Sequence, residues 1–445
     1  MKQIWQSVEK FKYMILEAER YIWRHPETGY REVGTSKYLA EKFRELGYDD
    51  LVMAGDIPGF YTVVDTGRDG PEVLILAELD SVICPNHKEA DPKTGAVHAC
   101  GHHAQCAALL GIAGALKDPE VLSELCGRIR LCAVPAEELL EIEYRTELKE
   151  KGIIRYYGGK GEFLHRGYFD GVDIAFMVHT STGFAVRKGS VGCVAKKITY
   201  KGRAAHGAYA VNGINALYAA TQGIAAVNAI RETFRDEDKI RFHPIVTAGG
   251  EAVNVIPGKA VMESYVRGAT FEAMLAANER VNRALTGAAL SLGANVDIED
   301  FPGYAPLYND KNMIELAKDA AALAAPDKTF EIDEHMNSGS TDMGELCGLM
   351  PAIHPYMDGA VGTCHGEDYR IEDPYTACVM SAKWQIAMLG LLLGDGAQRA
   401  KRIVADFKPR FASKEEYLAY VDKINCSGDR IVYHEDGTAT VKIGQ

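Results

Sequence analysis

The sequence has no excess of positive charge. Its 445 residues carry 49 Lys and Arg against 62 Asp and Glu, a formal net charge of −13. No Lys/Arg run forms a basic patch, so nucleic acid is not an expected partner. Long apolar runs are lacking too. Stretches such as Ala107–Leu116 are too short to cross a bilayer, and no membrane is expected. The N-terminal MKQIWQSVEKFKYMILEAER is charged throughout and amphipathic, unlike a secretory signal. Ten cysteines in a chain of this length make no disulfide framework. They suit a reducing cytoplasm, where cysteine serves as a small core residue or a ligand. No internal repeat and no low-complexity tract occurs, which excludes solenoids and disordered arrays.

What is there reads as globular: 47% hydrophobic and 25% charged residues, enough chain for two or three domains. Ile4, Val8, Phe11 and Ile15 fall at helical spacing. A second helix is expected in TSKYLAEKFRELGY, opened by Thr35 or Ser36 and closed near Gly47. Three apolar runs read as buried strands: Pro71–Asp80, Arg128–Glu138 and Asp173–His179. An apolar helix around Ala104–Leu116 separates the first two. Strands alternating with helices give an α/β class with a mostly parallel central sheet. Ligands in such sheets bind beyond the carboxyl ends of the strands, and these ends carry Asp80, Glu137, Glu138 and His179.

The pattern changes near Gly189. Over Gly189–Asp297 it runs strand–helix–strand–strand–helix–strand, the order of a small α+β sandwich with a split βαβ layout. The expectation is a discontinuous α/β domain, residues 1–187 and 299–445, interrupted by an α+β domain at residues 188–298. The polar tail from about Lys408 reads as an appended helix and hairpin.

The densest chemical cluster is the loop holding His98, Cys100, His102 and His103. Cys and His two residues apart in a loop can face one metal ion. PAEE places Glu137 and Glu138 side by side after a buried strand. Neighbours on extended chain point opposite ways, so one can bind metal while the other serves as general base. An acidic helix start is the competing reading, and for PAEE alone it is the better one. Asp80, His179 and His365 gain meaning only if the fold gathers them. His206 by itself reads as a surface or capping histidine.

Taken together, these motifs resemble one family: the dinuclear metallopeptidases and amidohydrolases that include aminoacylase, aminobenzoyl-glutamate hydrolase, the plant auxin-conjugate hydrolases and Xaa-Arg dipeptidase. RHPETGYRE, ILAELDSV, HACGHH, PAEE, KGRAAHGAYAVNGINAL with AVNVIPGKAVMESYVRG, and STDMGELCGLMPAIHPYMDG followed by His365 occur in the family's order. The wording is most similar to the aminobenzoyl-glutamate hydrolase and Xaa-Arg dipeptidase branch. The resemblance implies two divalent metal ions per subunit, Zn or Mn first and Co or Ni also compatible. It implies Cys100, His102, Glu138, His179 and His365 as ligands and Glu137 as general base. Asp80 matches the residue that orients a ligand. His206 matches a histidine that reaches a partner subunit's site, which implies a homodimer through a ferredoxin-like inserted lid and dimerisation domain. Asn254 and Arg267 match substrate-holding positions. The substrate implied is a small amide, an N-acyl amino acid or a dipeptide.

The chain departs from the family pattern at His103, Gln105, Glu78 and the Thr-Ser-Thr after His179. DFPGYAPLY lacks the Arg that relatives binding a carboxylate often carry there. Two other classes remain as alternatives. One is a metal-free cysteine hydrolase with Cys100 as nucleophile and His102 or His98 as base. The other is a non-catalytic binding protein on the same fold.

Overall fold

The computed structural model describes residues 3–443. The chain divides into two compact units. The first holds residues 1–189, 307–335 and 341–414, and the second residues 190–306, 336–340 and 415–445.

The first unit is built on a six-stranded sheet. Its spatial order is Val52–Met53, Phe60–Asp65, Arg128–Val134, Glu72–Glu78, Ile174–Phe176 and Ala352–Ile353. The last four are mutually parallel, while the first two pair antiparallel. Every residue of Glu72–Glu78 is buried, as expected for a parallel strand covered on both faces. Its register with Arg128–Val134 ends at Glu78 opposite Val134. Asp80, Glu137 and Glu138 therefore emerge together, just beyond the carboxyl ends.

The helix His102–Leu116 is buried along its whole length. Its N-cap, Gly101, has φ 95°, and a Cβ there would lie 2.5 Å from the Tyr369 hydroxyl. Only glycine meets both demands. The helix expected from Thr35 begins instead at Val33. Its first turn is capped from outside: Glu27 accepts from the Gly34 and Thr35 amides at 3.0 and 2.7 Å. That long-range cap replaces the local Thr or Ser cap and shifts the start. Tyr375–Leu393 is one helix, long and apolar enough to cross a membrane by length and composition, contrary to the short runs expected. In this structure 89% of its most apolar window is buried, and Trp384 is among the most deeply enclosed side chains.

The second unit has an antiparallel sheet with spatial order Arg241–Phe242, Lys259–Gly268, Gly192–Lys201, Asn295–Tyr304. Helices Ala216–Ile230 and Phe271–Ser291 pack on it through Tyr200, Val227, Val281 and Leu285. This is the strand order of a split βαβ sandwich. The tail forms the expected helix, Lys414–Asp422, and hairpin, Ile431–Tyr433 with Ala439–Val441. From Glu415 on, however, it belongs with the second unit rather than the first. Backbone bridges join Asp300 to Cys426 and Asp297 to Asp429, and Ile431 enters that unit's core. The tail thereby covers an edge strand that would otherwise expose unpaired backbone.

A buried ion pair anchors this unit. Lys196 bonds Asp300, whose other oxygen accepts from Asn278 and Asn282 at 2.8 Å each. Burial alone would raise the Asp300 pKa, but Lys196 holds it below the usual carboxylate value. Lys196→Met should destabilise the unit by about 3–5 kcal/mol, because a charged carboxylate is left buried without its cation. Urea unfolding measures this, and a loss under about 1 kcal/mol would show that the pair is dispensable.

Candidate metal centre

Asp80 is wholly buried and joins two strand ends. The His102 Nδ1 lies 2.9 Å from the Asp80 carbonyl and 3.1 Å from its Oδ1. The Glu138 amide donates to Asp80 Oδ2 at 2.8 Å. With Nδ1 so engaged, the ring turns Nε2 the other way. That nitrogen is buried and has no hydrogen-bond partner among the described residues. It sits 3.2 Å from Glu78 Oε2 and 4.0 Å from Glu137 Oε2. His179 repeats the arrangement: Nδ1 is 2.7 Å from the Thr180 carbonyl, and Nε2 is 3.4 Å from Cys100 Sγ. Fixing one ring nitrogen on a carbonyl or carboxylate and presenting the other is how proteins orient imidazole ligands.

Glu137 and Glu138 follow Ala136, which has φ 56°. The Ala136 amide donates to buried Glu32 at 2.7 Å, so an acidic side chain holds this left-handed turn. Glu138 Oε1 then lies 2.9 Å from His365 Nε2. His365 itself has φ 61° and donates its amide to Ala99, beside Cys100. Donor atoms gather in overlapping triads, each within 4.8 Å: Cys100, His102 and His179; Cys100, Cys364 and His365; His102, Glu137 and Glu138; Glu78, Glu137 and Asp342. An orphaned buried imidazole nitrogen, a thiol and converging carboxylates suit divalent ions of the zinc type.

The electrostatics follow from burial and crowding. Burial pushes the Glu137 carboxyl well above its usual range, and Glu78 and Glu138 add to the shift. Burial acts the same way on Glu138, but His365 overcomes it and brings Glu138 down to about 2. His365 rises correspondingly to about 11 against its own burial. The Cys100 thiol goes well up, first through its Cys364 neighbour and then through burial. Cys364 goes the opposite way, to about 4, through Cys100 and then His365, against its burial.

Three of these groups had little or no signal in the sequence. Lys160 is wholly buried, with Nζ 2.5 Å from Glu78 Oε1 and a second bond to Asp342. Burial would raise Glu78, yet Lys160 and His102 hold it well below the carboxylate range. Asp342 lies inside the STD motif, and Cys364 directly precedes His365. Lys160 follows two glycines in a stretch with no distinctive spacing. His98 is buried against His103, with ring centroids 5.3 Å apart, and joins none of the four triads. His206, Asn254 and Arg267 lie in the second unit. There His206 pairs with Val255, and the Gly207 amide donates to the Asn254 carbonyl at 2.7 Å. Arg267 donates to Ser340 at 2.6 Å.

The model of peptidase family M20/M25/M40 matches residues 74–384, most of the chain. The chain belongs to this family. It is accordingly an enzyme, a peptidase or amidohydrolase. The M20 member is 27% identical to the Xaa-Arg dipeptidase of Homo sapiens, over 79% of this chain and 78% of that one. It is 27% identical to an N-acetylcysteine deacetylase of Bacillus subtilis, over 70% and 80%. Its fold is that of a dinuclear metal-binding peptidase from Bacillus subtilis, with TM-score 0.64, 22% identity and coverage of 86% and 99%. An aminobenzoyl-glutamate utilization protein from Klebsiella pneumoniae superposes with TM-score 0.65 at 18% identity, covering 87% and 98%.

Asp80 touches two of the residues expected to hold metal and offers a direct test. Asp80→Ala should weaken metal binding by about 10–100-fold, the usual cost of losing a residue that orients a ligand. Competition against a chromophoric chelator reads the affinity, with circular dichroism confirming the fold. Unchanged affinity would remove Asp80 from that role.

Proposed function

We propose that this M20 enzyme is a metal-dependent amidohydrolase that cleaves the amide of an N-acyl amino acid or a dipeptide. The names of its relatives, a dipeptidase and an amino-acid deacetylase, agree with that substrate class. In this reading Cys100, His102, Glu138, His179 and His365 hold two divalent ions, Zn or Mn. When bound, the ions polarise the scissile carbonyl and ease ionisation of the attacking water.

The chain's own residues carry the remaining steps. Glu137 takes a proton from the attacking water at one carboxylate oxygen. It delivers that proton to the amine nitrogen as the C–N bond breaks, leaving a carboxylic acid and a free amine. Asp80 keeps His102 and the Glu138 backbone in place throughout. Asn254 and Arg267 hold the substrate. His206 reaches the site of a partner subunit and steadies the carbonyl oxygen, so the working form is a homodimer through the second unit. Ten free thiols suit the reducing cytoplasm.

The observation that carries this reading is the division of labour between two adjacent buried carboxylates. Glu138 engages His365, while Glu137 faces the His102 edge. The metal-free alternative fits less well. Without a metal, Cys100 is buried and its thiol pKa is raised, whereas a nucleophilic cysteine needs it lowered. A purely binding role would leave Glu137 without a task.

Glu137→Gln should retain metal and lose turnover by about 10²–10⁴-fold, as expected when a general base is removed. Metal analysis and steady-state assays on a dipeptide and N-acyl amino acid panel check both halves, and retained turnover would discard Glu137 as the base. His206→Ala mixed with Glu137→Gln should regain partial activity as exchanged dimers. No recovery despite confirmed subunit exchange would count against His206 acting in trans.

A further inference from the structure

Cys364 lies on the loop that carries His365, and none of the roles above uses it. Its Sγ is 3.9 Å from Cys100 Sγ. Two thiolates on one tetrahedral zinc, each about 2.3 Å from the ion, stand about 3.8 Å apart. The observed spacing matches that edge. The neighbouring donors agree in kind: Cys100, Cys364 and His365 all present donor atoms within 4.8 Å of one another, and Glu138 Oε1 lies 2.9 Å from His365 Nε2.

The backbone is arranged to bring both neighbours to one place. Adjacent side chains on extended chain diverge. Here the left-handed φ of 61° at His365 breaks that alternation. The loop is pinned by the His365 amide to Ala99 at 2.9 Å, by Gly366 to Thr363 at 2.7 Å, and by Thr363 to the Asp368 carboxylate at 3.0 Å. The Ala99 bond ties this loop to the one that holds Cys100. A non-glycine residue in that conformation is strained and persists only where the surroundings enforce it.

We propose that Cys364 is a further metal ligand, a second thiolate beside Cys100, and that it makes one of the two ion positions selective for zinc over manganese. This inference rests on the metal-dependent reading above. Two thiolates with an imidazole and the Glu138 carboxylate form a soft, tetrahedral-type donor set. Such a set favours Zn²⁺ or Co²⁺, whereas Mn²⁺ prefers carboxylate, carbonyl and water. The Glu78, Glu137 and Asp342 group is all oxygen and offers no such preference.

The test uses the whole 445-residue chain, stripped by chelator and kept reduced with a phosphine. Co²⁺ is titrated into wild type, Cys364→Ser, Cys364→Ala and Cys100→Ser, and the sulfur-to-cobalt charge-transfer band is recorded. Zn²⁺ and Mn²⁺ affinities are measured by chelator competition, with circular dichroism on each stripped protein. In either Cys364 variant the band should fall to roughly half of wild type, as one of two thiolates is lost. Zn²⁺ should bind at least about tenfold more weakly, with Mn²⁺ affected less. A wild-type band and wild-type zinc affinity in both Cys364 variants would overturn the inference while leaving the metal-dependent reading intact. So would complete loss of the band in Cys100→Ser. A wild-type protein that takes up neither Co²⁺ nor Zn²⁺ would overturn the reading and the inference together.

Discussion

The centre depends on one buried carboxylate. Asp80 bonds the His102 ring through one oxygen and the Glu138 backbone through the other. It thereby fixes the tautomer and direction of one candidate ligand and the position of another. Asp80 can do this because the parallel register ends Glu72–Glu78 and Arg128–Val134 at the same level. The backbone ladder of a buried sheet thus sets the geometry of a polar site. His179 follows from the same sheet, three residues past Phe176 in the adjoining strand.

The second constraint is charge. Glu32, Glu78, Asp80, Glu137 and Asp342 are all buried near these strand ends. Lys160, wholly buried itself, joins Glu78 and Asp342. Isolated buried charges are expensive, and carboxylates forced together raise each other's pKa. Glu137 and Asp342 show this, with Asp342 lifted to about 6 by burial despite Lys160. A site so rich in acid is prepared for cations. The fold tolerates the crowding because backbone amides and Lys160 satisfy part of it before any ion binds.

Much of this was legible in the sequence. PEVLILAELD and RIRLCAVPAEE read as buried strands ending in carboxylates, since a fully apolar run closed by acids has few other uses. The clustering of Cys100, His102, His179, Glu138 and His365 in one unit followed from the strand ends and the family resemblance. Lys160, Asp342 and Cys364 were harder to see. Their significance depends on contacts with residues 82, 182 and 264 positions away, which no local spacing encodes. The tail's place with the second unit is hidden for a similar reason: its polar composition masks buried Tyr417, Val421, Ile424 and Ile431 and the bridges to Asp297 and Asp300. The early start at Val33 came from Glu27, a cap outside the helix that a search for local Ser or Thr cannot find.

The proposed hydrolysis runs on divalent ions held by the gathered Cys, His and Glu side chains. Metal content per chain tests it most directly, on protein purified without added metal or chelator and assayed before and after chelation. About two equivalents per chain are expected, with amide hydrolysis that chelation abolishes and zinc restores. Protein that binds no metal even after incubation with Zn²⁺, Mn²⁺ or Co²⁺, yet hydrolyses the same substrates, would contradict it.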